Sequence, residues 1–217
     1  MLKRVASFLR PALVLAAIFL AFGFVIIAYH GVRTLQQLTL IEAERDQWQH
    51  SAEIIQALEL SPGSAVADLG CGSGYFALKL SAAVHPIGKV YAIDIRRLPL
   101  AVLWTRSLIG HRRNIDLVLG QPDNPHLPPN SLTAVLIANT YHELDDRSAV
   151  LQQLNRSLVA GGRLVIADPE KSENKELRFE MVEAELKNNG FEILRRDNPF
   201  LQQPERGPWW LIVARKR

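Results

Sequence analysis

The sequence predicts an α/β sheet with helices on both faces, preceded by a transmembrane helix. Three observations carry this. An apolar run without charge occupies Pro11 to Tyr29. From residue 65 onward, short apolar runs alternate with helical stretches along five strands, and two adjacent strands close the chain. The first of these runs opens directly into a glycine-rich loop, "VADLGCGSGYF" at 66–76.

The apolar run sets the amino-terminal element. At about 1.5 Å per residue it just spans a hydrocarbon layer of roughly 30 Å. Lys3, Arg4 and Arg10 precede it and Arg33 follows. A buried core helix is the first rival, but buried helices in a domain this small are rarely apolar all round. A cleaved signal peptide is the second. The run is longer than the usual apolar core of a signal, and "IIAYHGV" makes a poor cleavage site. The expectation is an uncleaved single-pass anchor over 1–33, with its membrane span at about 11–29. A polar linking helix follows over 34–60, stopped by "SPG" at 61–63, and a folded domain occupies 61–217.

Charge follows the same division. Of 25 basic and 22 acidic residues, the first 33 positions hold four basic and no acidic ones. The remainder carries 21 basic and 22 acidic, a net of −1. The basic balance therefore belongs to the anchor, and no nucleic-acid partner is expected for the domain. The single cysteine, Cys71, excludes an intramolecular disulfide and a cysteine-built zinc cluster.

The elements follow in order. "AVADL" (65–69) reads as a buried strand, 74–85 as a helix, "KVYAID" (89–94) as a strand and 98–110 as a helix with Pro99 in its first turn. "IDLVLG" (115–120) and "LTAVLIAN" (132–139) are strands. A helix over about 145–159 ends at Gly161-Gly162, and "RLVIAD" (163–168) is the next strand. A helix over 173–189 closes at Gly190, and "FEILRR" (191–196) and "WWLIVAR" (209–215) are the last strands.

The loop Asp68-Leu69-Gly70-Cys71-Gly72-Ser73-Gly74 joins the first strand to a helix, where an open parallel sheet places its ligands. No Lys-Ser or Lys-Thr follows, so it is not a nucleotide-triphosphate loop. A dinucleotide fingerprint is met only in its looser form, with Gly72, Gly74 and Ala77 in the three places, so NAD stays a rival on spacing. Asp68 tilts the choice: an acid there holds a cationic amine and repels a pyrophosphate. Asp94 ends the second strand, where a carboxylate accepts hydrogen bonds from ribose hydroxyls. A ribose beside a cationic amine describes S-adenosylmethionine (SAM) better than NAD.

"VADLGCGSGYF", "VYAIDI", "LPPNSLTAVLIANTYHEL" and "LVAGGRLVIADP" resemble, in order, the successive motifs of class I SAM-dependent methyltransferases. The resemblance covers about residues 45–217. It implies a Rossmann-like, mostly parallel seven-stranded sheet of order 3-2-1-4-5-7-6 with the last strand antiparallel. It implies SAM as cofactor, with Asp68, Gly70, Gly72 and Gly74 facing its methionine part and ribose, and Asp94 on the ribose hydroxyls. Asn139 would line the methionine or acceptor side. Many relatives carry an acid near the adenine amine after the third strand. This chain reads "GQPDNPHLP" there, with Gln121 in that place and Asp123 as the substitute.

His142 and Glu143 follow Asn139 in the loop expected to roof the reacting centre. His142 can take a proton from an oxygen or nitrogen nucleophile. The plainer alternative is that His142 packs and Glu143 caps the next helix. Two adjacent residues without a third do not make a metal site. Trp48 and Gln49 cover the ligand or simply pack, and at least one of Trp209 and Trp210 is expected in the core. These readings converge on a membrane-anchored methyltransferase acting on a small-molecule or lipid-like acceptor. An NAD-dependent oxidoreductase and a non-catalytic SAM-binding scaffold are the alternatives. The amino-terminal charge bias favours an exported domain. The cytosolic origin of SAM favours the cytoplasmic side, which is the side expected.

Overall fold

The computed structural model describes residues 2–172, 175–176, 178–203 and 207–217, and the side chains of 17–170, 178–202 and 207–217. The chain divides into two units, Met1–Trp48 and Gln49–Arg217.

The first unit is one helix, α1 (Leu2–Trp48). Its described part is long and apolar enough to cross a membrane, and none of the apolar window is buried in protein. The helical stretch expected over 34–60 is two elements. His50 takes a left-handed conformation (φ 52°), and its carbonyl accepts the backbone N–H of Glu53 at 2.9 Å. A short second helix, α2 (Ser51–Gln56), starts there.

In the second unit the strands are β1 (Ala65–Leu69), β2 (Lys89–Asp94), β3 (Ile115–Leu119), β4 (Leu132–Ala138), β5 (Leu158–Pro169), β6 (Phe191–Gln203) and β7 (Gly207–Lys216). They form one sheet of order β3-β2-β1-β4-β5-β7-β6. The first five pair in parallel, and β7 runs antiparallel to both neighbours. The expected order holds. The helices are α3 (Tyr75–Ala83), α4 (Arg97–Ile109), α5 (Arg147–Ser157) and α6 (Phe179–Asn188). The helix expected over 173–189 begins later, and 173–174 lie outside the described residues. A two-residue hairpin pairs Lys171–Ser172 with Lys175–Glu176.

Strands covered on both faces must be apolar throughout, and β4 shows why the run "LTAVLIA" is needed. Ala134, Leu136 and Ala138 join a core layer with Leu80 of α3 and Leu103 of α4. Val135 and Ile137, pointing the other way, join Leu151 of α5, Val182 of α6 and Trp210. Both Trp209 and Trp210 are buried, because β7 is an interior strand rather than an edge. Gly161-Gly162 does not end a helix as expected. α5 stops at Ser157, and the glycines sit within β5, where the pairing with β4 shifts register.

Candidate functional site

Parallel strands bring their carboxyl ends to one rim, and in this sheet three of those ends carry a buried acid: Asp68 on β1, Asp94 on β2 and Asp168 on β5. The β1–α3 loop is tied across this rim. The backbone N–H groups of Gly70 and Cys71 both donate to the Ile93 carbonyl, at 2.8 and 2.9 Å, and Gly72 N–H donates to Asp94 Oδ2 at 3.0 Å.

The three glycines differ in what they do. A methyl group on Gly70 would collide with the Thr140 side chain, and one on Gly74 with Leu103. Those two are small because the protein itself packs against them. Only Gly72, at φ 52°, would direct a side chain into open space. It is therefore the one whose bareness leaves room for a ligand.

Asp94 is almost fully buried and engaged on both oxygens. Oδ1 accepts Arg96 N–H at 2.9 Å and Arg96 Nε at 3.1 Å, and Oδ2 accepts Arg96 Nη2 at 3.3 Å besides Gly72. Arg96, absent from the sequence expectation, thus lies over the carboxylate assigned to ribose. Its side chain is 64% exposed while Asp94 is buried, so it can swing away where another group takes its place on the carboxylate. Asp94 pulls the Arg96 pKa up, and Glu143 adds to that shift. The β2 end and the 141–143 turn therefore share one field. Cys71 sits among these acids. Burial, then the charges of Asp68 and Asp94, push its thiol up, so it stays protonated and is no nucleophile.

The β4 end carries Asn139 in a left-handed conformation (φ 58°), exposed, with its N–H on the Ala167 carbonyl at 2.9 Å. Asparagine tolerates this backbone better than most residues. The bend turns the chain into a single 3₁₀ turn, Tyr141–Glu143. Tyr141, fully buried, donates to Glu185 Oε2 at 2.6 Å, and Arg147 clamps the same carboxylate from 2.8 Å. This pins the turn to α6 and fixes His142 between two carboxylates. Asp168 Oδ2 accepts the His142 backbone N–H at 2.8 Å and lies 3.0 Å from Nδ1. Glu143 Oε1 lies 3.8 Å from Nε2. Burial raises the Asp168 pKa, and its bonds to His142 oppose that rise. With Nδ1–H directed at Asp168, the basic lone pair falls on Nε2, the nitrogen on the Glu143 side.

Glu143 does not cap α5. Asp146 does, accepting Ala149 N–H at 2.9 Å. Asp123 is exposed on a tight turn after β3, where Gln121 N–H meets the Asn124 carbonyl at 2.8 Å, and Gly120 N–H on the Asp94 carbonyl (3.1 Å) holds that turn by the rim. Among the described residues no cluster of three or more metal-ligating side chains occurs.

The acids suit a cationic ligand, and Gly72 leaves the space for one. Comparison with known proteins agrees. Residues 67–166 match the family model described as a methyltransferase domain. The chain is 33% identical over 113 residues to the ubiquinone/menaquinone biosynthesis C-methyltransferase UbiE of Hahella chejuensis, covering 52% of this chain and 45% of that one. It is 30% identical over 121 residues to the 2-phytyl-1,4-naphtoquinone methyltransferase of Thermosynechococcus vestitus, covering 56% and 52%. The chain thus spans about half the length of the curated relatives it matches. A SAM-dependent methyltransferase from Aquifex aeolicus shares the fold, with TM-score 0.67 and 24% identity over 77% of this chain and 89% of that one. Residues 67–166 thus match a methyltransferase domain, and Gln49–Arg217 carries the seven-stranded sheet order and fold of a SAM-dependent methyltransferase.

Proposed function

We propose that this chain is a membrane-anchored methyltransferase whose acceptor is a small, lipid-like phenol or hydroquinone. The observation that carries the reading is the His142–Asp168 pair beside the glycine loop. Bound SAM supplies a methyl carbon already activated by a positive sulfur. What the protein adds is placement, and a base where the nucleophile arrives protonated. Asp68, Gly72 and Asp94 hold the cofactor in this reading, with Asp123 and Asn139 at its two flanks. Asp168 holds Nδ1–H of His142, so Nε2 takes the proton of an acceptor hydroxyl. Removing that proton drives electron density onto the ring, which suits the C-methylation named for the UbiE-type relatives. Glu143, exposed beside Nε2, passes the proton to water.

Helix α1 would keep the domain at the membrane that dissolves such an acceptor, on the cytoplasmic side where SAM is made. Calorimetric titration of the purified full chain with SAM and with NADH tests the cofactor. Radiolabelled methyl transfer to a demethylated quinol in vesicles tests the reaction. Binding of SAM with label in the quinol is the expected result. Binding of NADH instead overturns the cofactor assignment, and SAM binding with no transfer to any extracted lipid overturns the enzyme.

A further inference from the structure

Helix α4 carries an outward face that a solvated helix of this fold does not need. Its inward side is ordinary: Leu100, Leu103 and Ser107 are buried. Outward it shows Leu98, Ala101, Trp104, Thr105, Leu108 and Ile109, all exposed and, apart from one threonine, all apolar. Leu98 is 76% exposed, Trp104 57%, Leu108 56% and Ile109 63%. Ile95, just before the helix, is 58% exposed. Contiguous exposure of large apolar side chains marks an interaction surface.

The charge around this face has one sign. From Ile95 to Ile115 there are five arginines and no acid. Arg96 and Arg97 stand at the start of α4, and Arg112 and Arg113 just past its end. Two of the five are engaged inward, Arg96 on Asp94 and Arg106 on the Ser73 carbonyl at 2.7 Å. Arg97, Arg112 and Arg113 remain to charge the rim. Asp116, the next acid in the chain, is bonded to Lys89 Nζ at 2.6 Å.

An apolar stripe with an interfacial tryptophan and arginines at both ends has the make-up of a helix lying in a lipid interface. Nucleic acid would ask for arginines across the face rather than around it. We infer that α4 docks on an anionic membrane surface, with Leu98, Trp104, Leu108 and Ile109 in the headgroup–acyl boundary and Arg97, Arg112 and Arg113 on lipid phosphates. This deepens the membrane-anchored reading, and rests on it for the presence of lipid. It also sets the mouth of the cofactor site at the lipid surface, since Ile95 and Leu98 directly follow Asp94.

The test uses the full chain in vesicles of phosphatidylcholine with phosphatidylglycerol, the acyl chains brominated near the headgroup. Tryptophan quenching is compared between the natural chain and Trp104→Phe, a substitution at an exposed site that leaves the core intact. Docking predicts a quenched component in the natural chain that is absent from Trp104→Phe and falls when Arg112 and Arg113 are both replaced by Glu. Equal quenching in the two chains overturns it. So does a Trp104 shielded by a second copy, seen as dimers in detergent that dissociate with Leu108→Glu. Retention of nucleic acid by the arginines, with no quenching, overturns it as well. Washing with salt and then with alkali separates the two claims. A chain that resists both yet shows no Trp104 quenching keeps the anchor and loses the docking. A chain quenched at Trp104 but released by salt keeps the docking and loses the anchor.

Discussion

Replacing His142 by alanine separates a base from a packing residue. Asp168 is fully buried, and His142 gives it both a backbone N–H at 2.8 Å and a ring nitrogen at 3.0 Å. The substitution keeps the first bond and removes the second. A hydrogen bond to a charged group is worth about 1.5–3 kcal/mol. For a domain of this size each kcal/mol lowers Tm by roughly 2–4 °C, so a fall of about 3–12 °C at neutral pH is expected. The pH dependence has a definite sign. Burial already raises the Asp168 pKa, and the His142 bonds oppose that rise. Without the ring the folded pKa climbs further above the unfolded one. The folded state then binds the extra proton, and stability is lost as pH rises through the folded pKa. The variant should therefore regain stability on acidification, which differential scanning calorimetry across pH reads directly. Turnover should fall by about 10²–10⁴ with SAM affinity unchanged. The natural rate should drop on acidification as the imidazole protonates, and the variant should lose that dependence. A variant with unchanged Tm and a retained pH profile would refute the pairing and the base together.

Other substitutions test the cofactor side. Asp94→Ala should weaken SAM binding by roughly ten- to over a hundredfold, the worth of charged hydrogen bonds to ribose, and a calorimetric Kd within a factor of two of the natural one would sink that role. Arg96→Ala should leave the fold intact and tighten SAM binding, since the guanidinium no longer competes for Asp94; weaker binding would mean that Arg96 contacts the ligand instead. Gly72→Ala costs about 1–2 kcal/mol for its positive φ but meets nothing in the fold, so SAM affinity should fall by on the order of tenfold or more. In Gly70→Ala the new methyl meets Thr140 instead, and thermal stability rather than affinity should take the main loss.

The sheet was legible because its interior strands are apolar on both faces. Helix ends were less so. Gly161-Gly162 looked like a helix stop, yet β5 already begins at Leu158, because pairing with β4 overrides the local preference of glycine. The linking helix read as continuous through residue 60, since nothing in its periodicity announces the left-handed His50. In the site, the acids near the ends of "VADL" and "VYAID" are legible as ligand groups, and a third acid ends "RLVIAD". All three share one pattern: an apolar strand whose carboxyl end carries an acid. That pattern is the sequence signal for Asp168. Its pairing with His142 was not legible, because the two stand 26 residues apart and meet only through the β4–β5 register. Arg96 was hidden differently: a charged residue opening a helix reads as solvated, and only the fold lays it over Asp94.

The net charge of −1 over residues 34–217 conceals two opposed fields. The carboxylates gather where strands end, at Asp68, Asp94, Asp168 and the exposed Glu143, and the arginines gather on and around α4. A sum over the sequence cancels them, yet their partners differ in sign. In the readings proposed above, a sulfonium nucleoside with its ammonium group is drawn to the first, and lipid phosphate to the second. Arg96 stands at the boundary, its backbone and side chain both on Asp94. In this arrangement, a cation entering the site and an anionic surface approaching α4 pull Arg96 the same way, off Asp94 and toward lipid. Cofactor binding and membrane docking are then coupled through one side chain. SAM affinity measured on vesicles containing phosphatidylglycerol should exceed that on phosphatidylcholine alone, and Arg96→Ala should abolish the difference. An equal gain in the variant would show that lipid acts on the site by another route.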